Sequence, residues 1–311
     1  MKVSVLVPVY NAEPFLAECL ESILAQNFAD MEILIADDAS TDGSAALIQG
    51  YATKDQRIRC WRNQNNLGPV GNFNLLLKTA GGKYIKYVLA DDKLVTPDAL
   101  SRMAEVLDHD ESVSLVASAT QLIDSRSQLL GIREKKWKPG LWDGKWTIIR
   151  CLEERGNVIG EPSVVMFRKE QATRGFSHQL RSLADWEMWF HLLEQGSFGY
   201  IQEPLCAFRI HPKQDSAFCA RTGLTQAELL VVLEDYFAKP WLQFAPSRRA
   251  LFAQIYNLRK VPGHQDIPLT MNLLKMLRVR WYVLYWVRHK LARPFTHLTC
   301  WLKRRLVNEP A

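Results

Sequence analysis

The chain has 311 residues, of which 48% are hydrophobic and 23% are charged, a balance that excludes disordered and fibrous proteins and is typical of a globular one. The net charge of +6 comes from the C-terminal tail, where nine Lys or Arg residues stand against one acidic residue after position 270. The first 270 residues therefore predict no basic surface for nucleic acid, and a nucleic-acid partner is not expected.

The cysteines and the apolar segments exclude further classes. Six cysteines are scattered without a C-x-x-C pair, so neither a zinc site nor a disulfide framework is predicted. The apolar N-terminus is interrupted by Pro8 and lacks a small-residue cleavage site, which favours a strand over a secretion signal. No uninterrupted apolar run reaches about 18 residues, so no membrane-spanning helix is predicted. We therefore expect a cytoplasmic protein.

The first 119 residues alternate between short apolar strands and amphipathic helices. Strands are predicted over 2–9, 31–36, 58–61, 84–89 and 113–119. Helices are predicted over 14–24 and 72–79, and another follows the capping residues 39–43 and ends at about residue 51. A further helix is predicted with Thr96 as its cap and Pro97 as its first residue. The segment 63–71 is predicted as a loop. Strands that alternate with helices indicate an α/β fold of three layers around a mostly parallel sheet.

The acidic residues Asp91 and Asp92 follow the strand at 84–89 directly. Open α/β sheets bind their ligands at the carboxyl ends of parallel strands. Two adjacent carboxylates repel each other, so they favour a cation between them and their ligand, and Mg²⁺ or Mn²⁺ prefers such oxygen ligands. The alternative is that the two acids only end the strand and begin a turn.

The first strand is followed by Pro-Val-Tyr-Asn, without a G-x-G-x-x-G or a G-x-x-x-x-G-K-[ST] motif. Neither a dinucleotide fingerprint nor a P-loop is therefore present. The strand at 31–36 also ends in acids, Asp37 and Asp38. Acids at the ends of two strands suit a metal-bound nucleotide that side chains hold.

Three segments, VSVLVPVYNAEPF near the start, then NLGPVGNFN, then GGKYIKYVLADDKLVTPDAL, resemble family 2 glycosyltransferases of the GT-A fold. Such enzymes are found in bacterial polysaccharide and O-antigen assembly. The resemblance covers roughly residues 2–216 and implies a three-layer GT-A domain over 1–220. Its nucleotide-binding half would be 1–119 and its acceptor half 120–220, with a helical C-terminal extension over 221–311.

The resemblance implies a set of donor-site residues. The nucleotide-sugar contacts would be Pro8, Val9, Tyr10, Glu13, Asp38, Asp91 and Arg209, the metal ligands Asp92 and His211, and a further diphosphate contact Lys213. A Tyr ring can cover a base and a carboxylate can accept a uracil N–H, so a UDP-sugar is favoured. The metal would be Mn²⁺ or Mg²⁺. Leu89 departs from the pattern, because many members carry an acid there. For Asp37 we expect only that it caps the following turn.

The resemblance also implies Asp185 as the general base of an inverting reaction, since an acceptor hydroxyl attacks well only as its proton is removed. Ala184 stands where the family commonly has Glu. Glu187 is the rival base, and a second interpretation is that Asp185 caps the helix predicted over 186–193.

The acceptor half is less regular. A hairpin is predicted over 121–136, and 157–167 resembles the segment that lines the acceptor pocket, with Glu161 and Ser163 as its polar residues. The Trp residues at 137, 142 and 146 are interpreted as packing residues rather than a sugar-stacking surface, because large aromatics bury much area.

The C-terminal region is predicted to be helical over 226–237 and 246–259. Within 271–306, the segment WYVLYWV at 281–287 is apolar or aromatic and has basic residues at both ends. This pattern favours an interfacial helix at an anionic bilayer. The alternative is a helix packed on its neighbours or on a second subunit of a homodimer.

Taken with the resemblance, the residues predict an inverting, metal-dependent transfer of a sugar to a hydroxyl of a glycan or lipid-linked glycan. Two alternatives remain open. One is a non-catalytic sugar-nucleotide-binding protein that retains the fold, to which the departures at Leu89 and Ala184 point. The other is a sugar-phosphate nucleotidyltransferase, which would normally carry a Gly-rich basic loop after the first strand.

Overall fold

The computed structural model describes residues 2–134, 137–154 and 156–242. Its strands are β1 (Val3–Val9), β2 (Met31–Asp37), β3 (Ile58–Arg62), β4 (Tyr84–Tyr87), β5 (Lys93–Leu94), β6 (Val113–Ile123), β7 (Leu129–Arg133), β8 (Gly140–Trp142), β9 (Val165–Arg168) and β10 (Ser197–Arg209). Its helices are α1 (Glu13–Leu24), α2 (Ser44–Ala52), α3 (Gly68–Thr79), α4 (Ala99–His109), α5 (Gly144–Glu154), α6 (Ala184–Leu193), α7 (Asp215–Arg221) and α8 (Leu224–Ala238).

One sheet organises the domain, with the strand order β3-β2-β1-β4-β9-β6-β10-β5. The strands β3, β2, β1 and β4 are parallel to one another, and so are β6 and β10. The short strands β5, β7, β8 and β9 join antiparallel. The predicted α/β class with a mostly parallel sheet is therefore confirmed.

The core lies where the central strands meet the helices. All seven residues of β2 are buried, as a strand covered on both faces should be. Helix α1 buries Leu16, Leu20 and Ile23, which follow the 3-to-4 spacing of one helical face. Each such side chain stabilises the fold by about 1.5–3 kcal/mol when it leaves water.

The start of α4 corrects a prediction, because the helix begins at Ala99 and Thr96 does not cap it. The Thr96 hydroxyl is buried without a hydrogen-bond partner among the described residues. Gln26, at the end of α1, caps the helix instead: its Oε1 accepts the Leu100 N–H at 3.1 Å and its Nε2 donates to the Thr96 carbonyl at 2.8 Å. A residue distant in sequence thus satisfies the orphan donor of the first turn.

The start of α3 also differs, since the helix begins at Gly68 inside the segment that was predicted as a loop. The Asp38 carboxylate accepts the N–H groups of Leu67 at 2.8 Å and Gly68 at 3.0 Å. The cap of this helix therefore comes from the end of β2, which places it outside any local sequence window.

A close approach of backbones fixes the turn before β4. Glu32, which is 3% exposed, accepts the Ser4 hydroxyl and the Gly81 N–H, both at 2.6 Å. The Gly82 N–H donates to Ser4 Oγ at 2.8 Å, and a Cβ on Gly82 would lie 2.6 Å from the Ser4 nitrogen. Only glycine fits there without movement of β1.

The second half confirms the hairpin, because β7 pairs antiparallel with the end of β6. Trp137 is 6% exposed, and its ring lies 5.4 Å from Trp142, 5.6 Å from Trp146 and 5.3 Å from Phe198. The packing interpretation of these Trp residues is confirmed for Trp137, while Trp146 remains 40% exposed.

Helix α8 agrees with the helix predicted over 226–237. The predictions for 246–259 and for the basic aromatic segment 271–306 lie outside the described residues. The five cysteines that fall within the described ranges are all free. None of the helices in those ranges is long and apolar enough to span a bilayer.

Candidate active site

The acid pair lies between β4 and β5, where the chain leaves the sheet. The Val88 N–H still bonds to the Leu6 carbonyl of β1 at 3.0 Å, and Leu89 N–H then donates to Ser163 Oγ at 2.9 Å. Immediately after the acids, Lys93 and Leu94 pair with Ala207 and Cys206 of β10. The tertiary structure thus holds Asp91 and Asp92 from both sides.

Asp92 is 1% exposed. Its Oδ1 accepts the Arg209 backbone N–H at 2.9 Å, and its Oδ2 is buried with no hydrogen-bond partner among the described residues. Burial and the negative charge of Asp91 raise the pKa of Asp92 well above its usual range, and they outweigh the opposing hydrogen bonds from the Ser163 side chain and the Arg209 backbone. A carboxylate in this state gains strongly from a cation that reaches its second oxygen.

Asp91 is partly exposed and contacts His211, with 3.0 Å between Asp91 Oδ2 and His211 Nε2. The predicted metal ligands Asp92 and His211 therefore both adjoin Asp91. The ring of Phe15, on α1, lies 4.9 Å from the His211 ring and orients it.

One feature of the site fits a divalent cation. It is the buried second oxygen of Asp92, which lacks a hydrogen-bond partner among the residues that the structure describes. Within the described ranges, no group of three or more His, Cys, Asp or Glu side chains is arranged to hold a metal ion. This matches the chemistry of Mg²⁺ and Mn²⁺ sites in which one or two carboxylates are completed by substrate phosphates.

The predicted nucleotide contacts divide into exposed and buried groups. Tyr10 is 54% exposed at the end of β1, where a base could reach its ring. Val9 is 1% exposed and belongs to the core, and its carbonyl accepts the Asp38 N–H at 2.8 Å, so a donor contact from Val9 stays a prediction. Pro8 is partly exposed and pairs with Ala36 of β2.

Two predicted acidic contacts have structural partners. Asp38 is 2% exposed, and besides the start of α3 it accepts a hydrogen bond of 2.8 Å from Asn63 Nδ2. Glu13 accepts the Gly43 N–H at the start of α2, at 2.7 Å. Both carboxylates thus shape the loops of this edge, and a direct donor contact from either stays a prediction. For Asp37, the predicted turn contact is confirmed by the Ser40 N–H at 3.2 Å.

Arg209 requires a correction. The resemblance implied a contact with the diphosphate, but the side chain is 1% exposed and lies inside the domain. Its guanidinium donates to the carbonyls of Asp91 and Asp124 and to Glu18 Oε2. Each of its three side-chain nitrogen atoms donates a hydrogen bond to a protein group, because β10 directs the side chain into the domain, beneath the acid pair. Lys213, two residues beyond His211, is exposed.

The candidate base Asp185 lies in the first turn of α6. The helix begins at Ala184, so Asp185 is inside it and the prediction that it caps 186–193 is wrong. Its Oδ1 accepts the Trp186 N–H at 2.8 Å, and its Oδ2 accepts from Asn157 Nδ2 at 3.3 Å. The rival Glu187 pairs with Arg174 at 2.7 Å.

A single segment, 157–163, connects the candidate base to the acid pair. At one end Asn157 contacts Asp185, and in the middle the Gly160 carbonyl accepts from Asn157 Nδ2 and from Trp189 Nε1, both at 2.9 Å. At the other end Ser163 binds Leu89 N–H, two residues before Asp91. The segment therefore contacts the candidate base at one end and the backbone just before the acid pair at the other.

The residues of this segment differ in exposure from the prediction. Ser163 is 1% exposed and serves the backbone at Leu89, so it does not line an open pocket. Glu161 is partly exposed and pairs with Arg133 at 2.9 Å.

Two charged residues near the acid pair escaped the sequence interpretation. Lys86 on β4 is fully buried, donates to the Ser163 carbonyl and lies 3.4 Å from Cys206 Sγ, and burial lowers the pKa of its amine. A lysine in the apolar run YIKYVL was the available signal for it. Glu18 on α1 contacts Lys93 and Arg209, and nothing in its local sequence marks it.

Residues 4–170 match the family model described as Glycosyl transferase family 2. The chain belongs to this family. It is therefore a glycosyltransferase, which decides against the sugar-phosphate nucleotidyltransferase alternative. The chain is 29% identical over 213 residues to the putative glycosyltransferase EpsE of Bacillus subtilis, a match that covers 67% of this chain and 73% of that protein. Several other relatives are matched over only about a third of their length or less.

Solved structures support the GT-A fold of this family 2 glycosyltransferase. S. aureus TarS in complex with UDP-GlcNAc superposes with a TM-score of 0.67 at 18% identity, covering 90% of this chain and 78% of that one. The mannosyltransferase PcManGT of Pyrobaculum calidifontis, in complex with GDP-Man and Mn²⁺, gives a TM-score of 0.60 at 20% identity, covering 84% of this chain and 70% of that one.

Proposed function

We propose that this family 2 glycosyltransferase is inverting and metal-dependent. It takes a sugar from a nucleotide-diphosphate sugar, with a UDP-sugar favoured, and transfers it to a hydroxyl of a glycan or lipid-linked glycan. The observation that carries the proposal is the connection of Asp185 to the Asp91–Asp92 pair through the segment 157–163. The donors present with TarS and PcManGT, UDP-GlcNAc and GDP-Man, support the donor class.

On the donor side, the protein's own groups supply orientation. Tyr10 covers the base at the end of β1, where its ring is exposed. Asp92, whose second carboxylate oxygen lacks a partner among the described residues, and His211 would hold the cation, with Asp91 beside them. A bound Mn²⁺ or Mg²⁺ supplies positive charge that stabilises the departing diphosphate.

On the acceptor side, Asp185 accepts the proton of the acceptor hydroxyl while that oxygen attacks the anomeric carbon. The bond between the anomeric carbon and the diphosphate oxygen breaks, and the nucleoside diphosphate leaves from the opposite face. Asn157 and the Trp186 N–H hold the Asp185 carboxylate in place through the bonds to its two oxygens. Inversion follows because attack and departure occur on opposite faces of the sugar.

A lipid-linked acceptor is proposed together with contact between 271–306 and the membrane surface. The support is the sequence of that segment, in which Trp and Tyr are flanked by basic residues. Association as a homodimer is the alternative use of the same segment. Sedimentation of the full chain with anionic and neutral vesicles, beside sizing in their absence, separates the two.

The test of the proposed function is transfer from a panel of UDP- and GDP-sugars to lipid-linked glycan extracts, with Mn²⁺, Mg²⁺ or EDTA. The expected result is turnover of one donor, loss of turnover in EDTA and a product whose anomeric configuration, read by NMR coupling constants, is opposite to that of the donor. Turnover that survives EDTA would contradict metal dependence, and a retained configuration would contradict the role of Asp185. Donor binding without turnover on any acceptor would favour the non-catalytic alternative.

A further inference from the structure

Glu18 on α1 and Arg209 at the end of β10 form an ion pair directly behind the acid pair. Their Oε2 and guanidinium nitrogen are 2.5 Å apart, and the Arg209 side chain is 1% exposed while that of Glu18 is 36% exposed. A buried guanidinium needs a counter-charge and acceptors for its donors. Among the described residues, Glu18 provides the only carboxylate within ion-pair distance of Arg209.

Arg209 in turn holds the acid pair at two points. Its Nε donates to the Asp91 carbonyl at 2.7 Å, and its backbone N–H donates to Asp92 Oδ1 at 2.9 Å. Another guanidinium nitrogen donates to the Asp124 carbonyl and to Ser127 Oγ, both at 2.9 Å. The position of the Asp92 carboxylate is therefore set by Arg209, and the turn between β6 and β7 anchors Arg209.

Glu18 holds the next residue of the same segment. Its Oε1 pairs with Lys93 Nζ at 2.5 Å, and its Oε2 also accepts the Ser127 hydroxyl at 2.5 Å. The tripeptide Asp91-Asp92-Lys93 is thus fixed through the backbone of its first residue, the carboxylate of its second and the amine of its third. The Glu18 carboxylate makes the contact with Lys93 directly and reaches Asp91 through the Arg209 guanidinium.

Phe15 lies three residues before Glu18, on the same face of α1. The Arg209 guanidinium lies 4.8 Å above the Phe15 ring, and the His211 ring lies 4.9 Å from it. Helix α1 therefore contacts both Arg209 and His211 through one aromatic ring.

We propose that Glu18 is a positioning residue for the divalent cation: through Arg209 and Lys93 it fixes Asp91 and Asp92 in the geometry that binds the metal. This inference rests on the proposed metal-dependent function and deepens it. Glu18 touches neither the donor nor the cation in this role. A residue that only stabilised the fold would change the melting temperature without changing the affinity of the folded protein for Mn²⁺.

The experiment measures Mn²⁺ binding to the full chain, in the presence of UDP, by the EPR signal of free Mn²⁺, so that no turnover is needed. The variant is E18Q, which keeps the size of the side chain and removes its charge. The matched control is E21Q, one turn later on α1, whose exposed carboxylate accepts only the Tyr51 hydroxyl at 2.9 Å among the bonds that the described residues make. Circular dichroism and melting at the assay temperature verify that each variant is folded.

We expect E18Q to weaken Mn²⁺ binding by about 10–100-fold, the usual effect of removing an outer partner of a metal ligand. E21Q should bind as the wild type does, and E18D, which keeps the charge, should recover part of the loss. Folded E18Q with wild-type Mn²⁺ affinity would overturn the inference while leaving the proposed function intact. Wild-type protein that binds no Mn²⁺ with any nucleotide would overturn the metal-dependent function itself, and the role of Glu18 with it.

A second variant covers the case in which E18Q does not fold. K93Q removes the other cation that Glu18 contacts and leaves the pair with Arg209 in place. A folded K93Q protein should bind Mn²⁺ more weakly than the wild type. An unchanged affinity in K93Q, with E18Q unfolded, would count against the proposal.

Discussion

The backbone N–H of Arg209 donates a hydrogen bond of 2.9 Å to Oδ1 of Asp92, whose other carboxylate oxygen is buried with no partner among the described residues. One carboxylate oxygen thus accepts a hydrogen bond from the protein, and the other is available to a ligand. A buried charge without full pairing lowers the stability of a protein, and such costs concentrate at functional sites.

Substitution D92N should therefore stabilise the metal-free protein and remove its Mn²⁺ affinity. Burial and the charge of Asp91 raise the pKa of Asp92 in the folded protein. Above this raised pKa the ionised carboxylate lowers the free energy of unfolding. Below the pKa of the unfolded state, which is about 4, this effect disappears. At neutral pH we expect D92N to increase the free energy of unfolding by about 0.5–2 kcal/mol. Urea denaturation at pH 7 and at pH 3.5 measures it, and the increase should be present only at pH 7.

The control for D92N is D98N, since Asp98 is exposed and its side chain makes no capping bond at α4. D98N should leave both stability and Mn²⁺ binding unchanged. A D92N protein that is less stable than wild type at pH 7 would show that Asp92 is held mainly by favourable partners.

Glu18 gives a second dependence on pH, with the opposite sign. Burial opposes ionisation, but hydrogen bonds from Lys93, Ser127 and Arg209 outweigh it and lower the pKa of Glu18 to about 2. A carboxyl with a lowered pKa stabilises the fold above its unfolded value, about 4.3, and this contribution is lost as pH falls toward about 2. The stability difference between wild type and E18Q should therefore be constant from pH 7 to 5 and shrink from pH 4.5 to 2.5. A difference that does not change over the acid range would contradict the ion pairs of Glu18.

Substitution D185N should separate binding from chemistry. We expect kcat to fall by about 10²–10⁴-fold, the usual contribution of a general base, with the KM for the donor unchanged. E187Q should keep most of the turnover, because Glu187 is engaged by Arg174. Steady-state kinetics with the donor found in the transfer panel measure both, and the opposite ranking would make Glu187 the base.

Two glycines test how closely the backbone is packed around them. G82A should lower the free energy of unfolding by about 1–3 kcal/mol, the usual cost of overpacking, because its Cβ would meet the backbone of Val3 and Ser4 at 2.8 Å or less. G50A, inside α2, has nothing within 4 Å of the new Cβ and should stabilise the protein by about 0.5–1 kcal/mol. Denaturant titration of both variants gives the values. Equal effects of the two changes would mean that Gly82 is not tightly enclosed.

Local patterns in the chain predict most of the first half of the fold. The apolar runs and the 3-to-4 spacing place β1, α1, β2 and β3 within a few residues of their observed bounds. The starts of α3 and α4 are different, because their caps are Asp38 and Gln26, which belong to other elements. A prediction from neighbouring residues cannot identify a capping residue that comes from a distant part of the sequence.

The candidate site shows the same division. Two carboxylates after a buried strand predict a cation site at the edge of the sheet, and family-specific motifs point to Asp185. The predicted diphosphate contact of Arg209 was wrong, since a motif gives the position of a residue in the chain and not the direction of its side chain. β10 turns the Arg209 side chain into the domain, where Glu18, 191 residues earlier, neutralises it.

The sequence by itself determined the α/β class, the family and the place of the acids at the strand end, because each of these depends on residues that are close together in the chain. Only the tertiary structure decided which charged groups meet. Glu18 pairs with Arg209, Lys86 donates to the Ser163 carbonyl, and one oxygen of Asp92 has no hydrogen-bond partner among the described residues. Hydrophobic periodicity specifies which face of a helix or strand is buried. The partner of a buried charge is specified by the three-dimensional packing of elements that are far apart in sequence.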